Sequence, residues 1–450
     1  MTPEVLLADE SISGRLARLY RMHASGIKLD LGMTRSVLER LGHPENAWPS
    51  VHVAGTNGKG SVCAMLESML RAAGLKTGLY TSPHLVRFNE RIRVSGAEIT
   101  DGALADIIPA VEREARAAAA APGGRELTFF EFTTALAFEH FRREGVRIAV
   151  LETGMGGRLD ATNTAAPDVS VITGISVEHT AYLGPDIPSI AREKAGIIKR
   201  NTPVVVGPMP PEALGAVRAA ADGAGSRLVQ AGDMVNVSRL SAGLRGQKIR
   251  VHIPDGSLGT LTLPLAGRHQ LANCGVALAA MLTLAERRSI QWPPELLKAG
   301  LERVEWPGRF QVVSERPVTV LDGAHNPDGA ASLAAALRET LPGVPIALVA
   351  GVCADKDYAR ILSCFSGMVR RFYAVPVASE RSLAPEVLAQ AGRGFGWDSE
   401  PATLGDAWAR AREWAGANGG AVCVAGSLFL VGEALRRLAS DAEKGEALRA

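Results

Sequence analysis

Residues 52–61 read "HVAGTNGKGS". A short β-branched run, "SVHVA", feeds a turn holding Gly55, Gly58 and Gly60. An apolar-periodic stretch, "SVCAMLESMLRAAG", leaves it. There Val62, Leu66, Met69 and Leu70 fall near helical spacing, and Gly74 is placed as a C-cap. Strand, glycine turn, helix is the context of a phosphate cradle. Successive backbone N–H groups and a helix N-terminus offer donors and positive dipole to phosphate oxygens, and glycines allow close approach. The stretch departs twice from the usual G-x-x-x-x-G-K-[ST] pattern: Val53 holds the first glycine position, and Gly60 separates Lys59 from Ser61. An ordinary glycine-rich turn with a solvated lysine is the competing reading of these ten residues.

The same rhythm recurs outward from this point. "KTGLYTS", "RIAVLETG", "DVSVITGI" and "TPVVVG" read as strands, and "IPSIAREKAGIIK" as a helix between the last two. Continuous apolar runs such as "RIAVLE" suit strands buried on both faces of a parallel sheet. The alternation predicts a doubly wound α/β domain over 1–303. Within it, "REARAAAAAPGG" is a helix running into a loop at Pro122. Residues 227–266 lose the helix period and read as short strands, and "GRHQLANCGVALAAMLTLAERR" reads as a long helix. Prolines, tryptophan and glycine mark a linker at 304–308. The α/β pattern then restarts over 309–450 as a smaller C-terminal domain, ending in a charged helix tail.

Bulk properties narrow the class. At 450 residues the chain is too long for one ordinary core. A formal net charge of +2 argues against a nucleic-acid or membrane-surface binder. No apolar run is long enough to span a bilayer, and "MTPEVLLADE" lacks the pattern of a secretory signal. The five cysteines are scattered with no C-x-x-C, which fits buried thiols in a reducing cytoplasm. The expectation is a cytoplasmic monomer acting on small molecules.

Five further segments hold candidate chemistry. In "LETGMGGRLDATN", Glu152 ends an apolar strand beside a glycine-rich run, a good position for holding Mg²⁺ near a phosphate loop. The competing role is a helix cap or an ion pair. His179 in "SVEHTAYLG" follows another strand and points to the same sheet edge, although a lone histidine is more often structural. Ser82 in "YTSPHLVRFNERI" can offer an oxygen to a metal or simply shape a turn. Lys194 and Lys199 in "REKAGIIK" alone read as a solvated helix face. Asp322 and His325 in "LDGAHNPDG" leave a strand before a helix of the second domain, where polar groups usually face a crevice.

Taken together and in order, "GTNGKGS", "YTSPHLVRFNERI", "TFFEFTTALAF", "LETGMGGRLDATN", "EHTAYLG", "AREKAGIIK", "GRHQLANC", "PGRF", "DGAHNP" and "AGSLFLVGE" resemble the folylpolyglutamate synthase and bifunctional dihydrofolate synthase family. That family belongs with the Mur-type amide ligases, and the resemblance spans roughly residues 25 to 435. It implies a Mur ligase-like fold and an ATP-dependent reaction across a domain cleft. A substrate carboxylate becomes an acyl phosphate, and the amine of L-glutamate then displaces phosphate. By the same resemblance, Asn57, Gly58, Lys59, Gly60 and Ser61 would hold the triphosphate. Asn273, Arg309 and Asp322 would contact the nucleotide, and His325 the glutamate site. Ser82 and Glu152 would bind one Mg²⁺ and His179 a second, with Lys194 matching a carbamylated lysine. Lys59, Lys194 and His325 would be the catalytic set. A pteroate or folate would lie near Asp30, Leu31 and Gly32, near Thr128, Phe129, Phe130 and Glu131, and near Leu159, Asp160 and Ala161.

Three positions depart from the family pattern: Glu178 where Asp is common before the metal histidine, Gln311 where Glu is frequent, and Thr153 where valine is common. Two alternatives stand beside the ligase. A phosphate-loop regulatory ATPase would have no use for "DGAHNP" or "TFFE", and a GTPase is disfavoured because "ADKD" at 354–357 is not N-K-x-D. A Mur-type ligase acting on another carboxylate is chemically close, but the folate-type motifs argue against it.

Overall fold

The computed structural model describes residues 12–21, 28, 30–254 and 256–447. The opening "MTPEVLLADE" and the outer limits of the two expected domains lie outside these residues. The chain divides into two compact units. The first comprises the described residues up to Ser82, with Asn89–Val235 and Asn273–Gly300; the second comprises Pro83–Phe88, Asn236–Ala272 and Leu301 onward.

Unit 1 is built on eight strands: β1 (Ser50–Ala54), β2 (Thr77–Tyr80), β3 (Ile92–Val94), β4 (Ala97–Glu98), β5 (Ile148–Glu152), β6 (Val169–Ile172), β7 (Val204–Val206) and β8 (Leu228–Gln230). Their order is β4-β3-β2-β5-β1-β6-β7-β8. Pairing is parallel from β2 to β8, and β3 and β4 add an antiparallel edge. Every residue of β1 and β5 is buried, as their apolar runs require when helices cover both faces. From β1 the chain passes out to β2, and from β5 it crosses back over β1 to β6. The carboxyl ends of β2, β5, β1 and β6 therefore share one edge at a reversal of strand order, where α/β folds form their crevices. That edge receives Ser82, Glu152, the Gly55–Ser61 turn and His179. Phe132, Phe138, Phe141, Met65 and Leu66 fill the core beneath it. At about 1.5–3 kcal/mol for each such side chain withdrawn from water, their burial anchors the edge firmly.

Unit 2 has two sheets. β9 (Asn236–Gly243), β10 (Gly246–Ile253) and β11 (Gly256–Leu263) form an antiparallel meander. β12 (Gln311–Glu315), β13 (Val318–Leu321), β14 (Ile346–Ala350), β15 (Val369–Ala374), β16 (Asp398–Pro401) and β17 (Ala421–Ala425) follow the order β12-β13-β17-β14-β15-β16. The meander is the β-rich stretch expected inside the N-terminal domain, yet it groups with unit 2. Arg239 and Arg268 both pair with Glu339 on the helix Pro327–Thr340, at 2.6 and 2.5 Å. Both arginines hold the Glu339 carboxyl down at about 2. Among the described residues all five cysteines are free thiols, four of them buried, and no helix is long and apolar enough to cross a membrane.

Candidate active site

The turn after β1 is shaped by two glycines at positions that disfavour any side chain. Gly55 has φ +151° and Gly58 φ +87°, where side chains are strained. A Cβ on Gly55 would strike the Thr173 hydroxyl, and one on Gly58 the Asn273 amide. Asn273 is thereby placed against the turn from a distant part of the sequence. Thr173 Oγ1 donates to the Asn57 carbonyl at 2.7 Å, and Thr56 is tied to Gly174 and Ser176 of the segment after β6. The helix Lys59–Ala72 starts at the turn, with Gly60 and Ser61 buried in its first turn.

Two lysines converge on a single oxygen. Lys59 Nζ donates to the Gly55 carbonyl at 2.9 Å and to the Thr56 carbonyl at 3.1 Å. Lys194 Nζ, from the helix Ile187–Ala195, donates to the same Gly55 carbonyl at 2.8 Å and is 2% exposed. Burial, then the Lys59 charge, push the Lys194 ammonium down to about 7; Glu178 and Asp160 pull weakly the other way. Near neutral pH a large share of Lys194 is therefore uncharged amine, which is the nucleophilic form. The solvated helix face read from sequence applies to neither lysine of this segment. Lys199 is bound to the Asn163 carbonyl and amide oxygens at 2.8 and 2.7 Å, and burial lowers it to about 8.

Glu152, at the end of β5, is 5% exposed and accepts the Ser82 amide N–H at 3.0 Å. This brings the carboxylate and the Ser82 residue together as expected. His179 sits at φ +51° ahead of a short helical turn, with Nε2 3.5 Å from Glu178 Oε1. Among the described residues no three His, Cys, Asp or Glu side chains form a ready cage for a metal. Mg²⁺ is commonly held by one or two carboxylates plus phosphate oxygens and water. A hard-oxygen set with Glu152, Ser61 and Ser82 at one sheet edge fits that ion.

The segments assigned to a pterin divide on inspection. Thr128 and Glu131 form a capping box on the helix Phe129–Arg143: Glu131 takes the Thr128 N–H at 2.7 Å, and Thr128 Oγ1 takes the Glu131 N–H at 3.3 Å. Glu131 also pairs with Arg125 at 2.7 Å. The pattern [ST]-x-x-[DE] before an apolar run was the signal in "TFFE" that sequence reading passed over. Phe129 is buried against Tyr20 and under Arg91. Phe130 is half-buried beside Tyr80, with Gly154 pressed on its ring. Asp30 is mostly exposed, accepts from the Gly32 N–H at 2.9 Å and lies 3.5 Å from Arg125, while Leu31 is buried. Leu159 is half-buried and Ala161 buried.

Asp160 is a strut of its own loop. Its two oxygens accept the N–H groups of Gly154 and Met155, both at 2.9 Å, and the N–H and hydroxyl of Thr162. Burial pushes this carboxyl up, against the pull of those four donors.

In unit 2, Asp322 does a similar job. It accepts the Phe310 N–H at 2.7 Å and the Ala324 N–H at 2.8 Å. Arg309 lies over Gly323, where a Cβ would strike its guanidinium. His325 Nδ1 is 2.8 Å from the Gly323 carbonyl. Gln311, the departure from the family's Glu, accepts the Gly308 N–H at 2.9 Å through an oxygen that either residue supplies. Thr153 Oγ1 is buried and has no partner among the described residues.

A doubly wound sheet carrying this glycine turn at its switch point, followed by a second α/β unit, is the architecture of the Mur-type ligases. The Mur ligase middle domain matches residues 53–281, and the Mur ligase glutamate ligase domain residues 308–428. The dihydrofolate synthase/folylpolyglutamate synthase of Escherichia coli (strain K12) is 36% identical over 393 residues, covering 87% of this chain and 88% of its own. The folylpolyglutamate synthase of Mycobacterium tuberculosis complexed with ADP superposes with a TM-score of 0.89 at 32% identity, covering 95% of this chain and 98% of its own. The E. coli FolC structure in complex with DHPP and ADP gives 0.84 at 33%, covering 97% and 99%. The chain belongs to the folylpolyglutamate synthase/dihydrofolate synthase family.

Proposed function

We propose that this protein is an ATP-dependent ligase that joins L-glutamate to the carboxylate of a pteroate or folate. The observation that supports it most is the convergence of Lys59 and Lys194 on the Gly55 carbonyl, at the switch-point edge that also holds Glu152. A carboxylate is a poor electrophile. Transfer of the γ-phosphoryl group to one of its oxygens gives an acyl phosphate and ADP. The glutamate nitrogen then forms the amide bond as phosphate departs. Such a reaction needs positioning and charge neutralisation above all. E. coli FolC was solved with DHPP and ADP, which suits this substrate pair.

In this reading Asn57, Gly58, Lys59, Gly60 and Ser61 hold the triphosphate. Asn273, Arg309 and Asp322 contact the rest of the nucleotide; Asp322 keeps lone pairs beyond the two bonded to backbone. Glu152 and Ser82 would hold one Mg²⁺ and His179 a second, which when bound would supply positive charge against the phosphates. Lys194, as free amine, would add through Nζ to the carbon of CO₂ and lose one proton to water, giving a carbamate anion. His325 serves the glutamate. Phe130 and the 159–161 segment line the pterin site. Residues 1–303 form the ATP-binding domain, 304–308 the linker and 309–450 the C-terminal ligase domain, in a cytoplasmic monomer.

The test is ADP release with Mg-ATP. Release should require both a pteroate or reduced folate and glutamate, and the product should gain one glutamate mass. Hydrolysis indifferent to both substrates would favour a regulatory ATPase. Turnover with a different acid in place of the pteroate would favour another Mur-type ligase. Comparing dihydropteroate with a reduced folate decides between dihydrofolate synthesis, polyglutamate extension, or both.

A further inference from the structure

His52 lies in the middle of β1, fully buried, under the glycine turn and outside every role assigned above. Its Nε2 is 2.8 Å from Thr162 Oγ1. The Thr162 hydroxyl in turn donates to Asp160 Oδ1. Asp160 Oδ2 holds the N–H groups of Gly154 and Met155, the first two glycine-loop residues after Glu152 and Thr153. One continuous chain of hydrogen bonds therefore runs from β1 into the loop that leaves β5.

The proton count along the chain fixes its direction. Asp160 receives four donors, which occupy the lone-pair sites of an ionised carboxylate and leave no place for a proton. The single hydroxyl proton of Thr162 faces Asp160. Thr162 Oγ1 can then only accept from His52, so the imidazole must carry its proton on Nε2. Nδ1 is left bare, and it is buried without a partner among the described residues. Burial and the Lys199 charge push this histidine down to about 3, which keeps the ring neutral.

We infer that His52, as a neutral Nε2–H imidazole, is a positioning residue that locks the 154–162 loop to β1 through Thr162 and Asp160, and so sets the pterin-side wall of the site. The last clause rests on the folate-ligase reading; the lock itself does not. Removing the Nε2 donor leaves the Thr162 oxygen short of a buried bond; the Thr162 hydroxyl then loses the partner that aims its proton at Asp160, and the loop amides that Asp160 holds loosen. A glutamine at this position can place an N–H where Nε2 stands, whereas an asparagine reaches only the Nδ1 position.

Two-bond ¹H–¹⁵N correlation on the intact, histidine-labelled enzyme tests the tautomer, with His52→Gln assigning the signal. A pyrrole-type Nε2 and pyridine-type Nδ1 unchanged from pH 5 to 8 is expected; an Nδ1–H or cationic ring overturns the inference. In hydrogen exchange, the Gly154 and Met155 amides should open about tenfold faster in His52→Asn than in His52→Gln. Equal protection in the two variants overturns the lock. In the ADP-release assay, His52→Asn should raise the KM for the pterin substrate about tenfold with the ATP KM unchanged, and His52→Gln should restore it. Equal rises in both KM values would make His52 merely structural. If no pterin acid supports turnover, the folate reading falls, while the tautomer and exchange results still decide the lock.

Discussion

The glycine turn of unit 1 and the "DGAHNP" turn of unit 2 are built alike. Each follows a buried parallel strand, β1 or β13, and each leads into a helix. Their charges are handled differently. In unit 2 the charged group nearest the strand end is Asp322, and its oxygens brace the backbone at Phe310 and Ala324. In unit 1 the ionisable groups are Lys59 and Lys194, which donate to the backbone carbonyls of Gly55 and Thr56. Two lysine nitrogens on one carbonyl, with the charge of one depressing the other, is an arrangement that improves when an anion arrives; a carboxylate between two backbone N–H groups is already content. Under the proposed function, the contrast separates a turn placed to take phosphate from a turn that chiefly holds its own shape.

Removing the unit 1 lysine should do the greatest damage. Lys59→Ala is expected to lower kcat/KM at least about a hundredfold, with the thermal midpoint changed little. Unimpaired turnover in the folded variant would erase the distinction between the turns. Next comes Glu152→Gln, which should shift the Mg²⁺ concentration for half-maximal activity upward by about tenfold; a titration matching wild type would remove Glu152 from the metal. The carboxylate struts come third. Asp160→Asn and Asp322→Asn should each destabilise their unit by about 1–3 kcal/mol, because an amide NH₂ is set against a backbone N–H. Calorimetry that shows no loss for Asp322 would return it to the role of a simple ligand contact.

The smallest effect is the most specific. Lys194 has its folded value lowered to about 7 against 10.5 for an ordinary lysine. Between those limits the unfolded chain binds more protons than the folded one, so stability should rise with pH across that window. Below about pH 7 the cost of burying the cation is present in full. In CO₂-free buffer, denaturant midpoints at pH 7 and 9 should differ by more in wild type than in Lys194→Met. Identical differences would mean that Lys194 is not a buried, depressed amine.

Much of this site was legible in the chain. Strand, glycine turn and helix are local patterns, so Gly55–Ser61, Glu152, His179 and Ser82 could be placed at strand ends before any coordinates. The doubly wound order followed from alternating apolar runs. What could not be read is which neighbour satisfies each polar group. "TFFE" looked like a ligand segment, but Thr128 and Glu131 cap a helix. Asp160 and Asp322 read as ligand contacts, and the chain alone did not show that both also brace backbone. Lys194 and Lys199 looked like a wet helix face, yet Lys194 is buried and Lys199 is half-buried and bonded to Asn163.

The sequence by itself determined the periodicities, and with them the strands, the glycine turns and the residue types available at their ends. These depend on neighbours within a few positions. Only the tertiary structure decided charge and hydrogen-bond partnership, because Gly55 meets Lys194, and His52 meets Thr162, across more than a hundred residues of chain. Burial at those meetings sets whether a lysine is an ammonium or an amine, and whether an aspartate is a ligand or a strut.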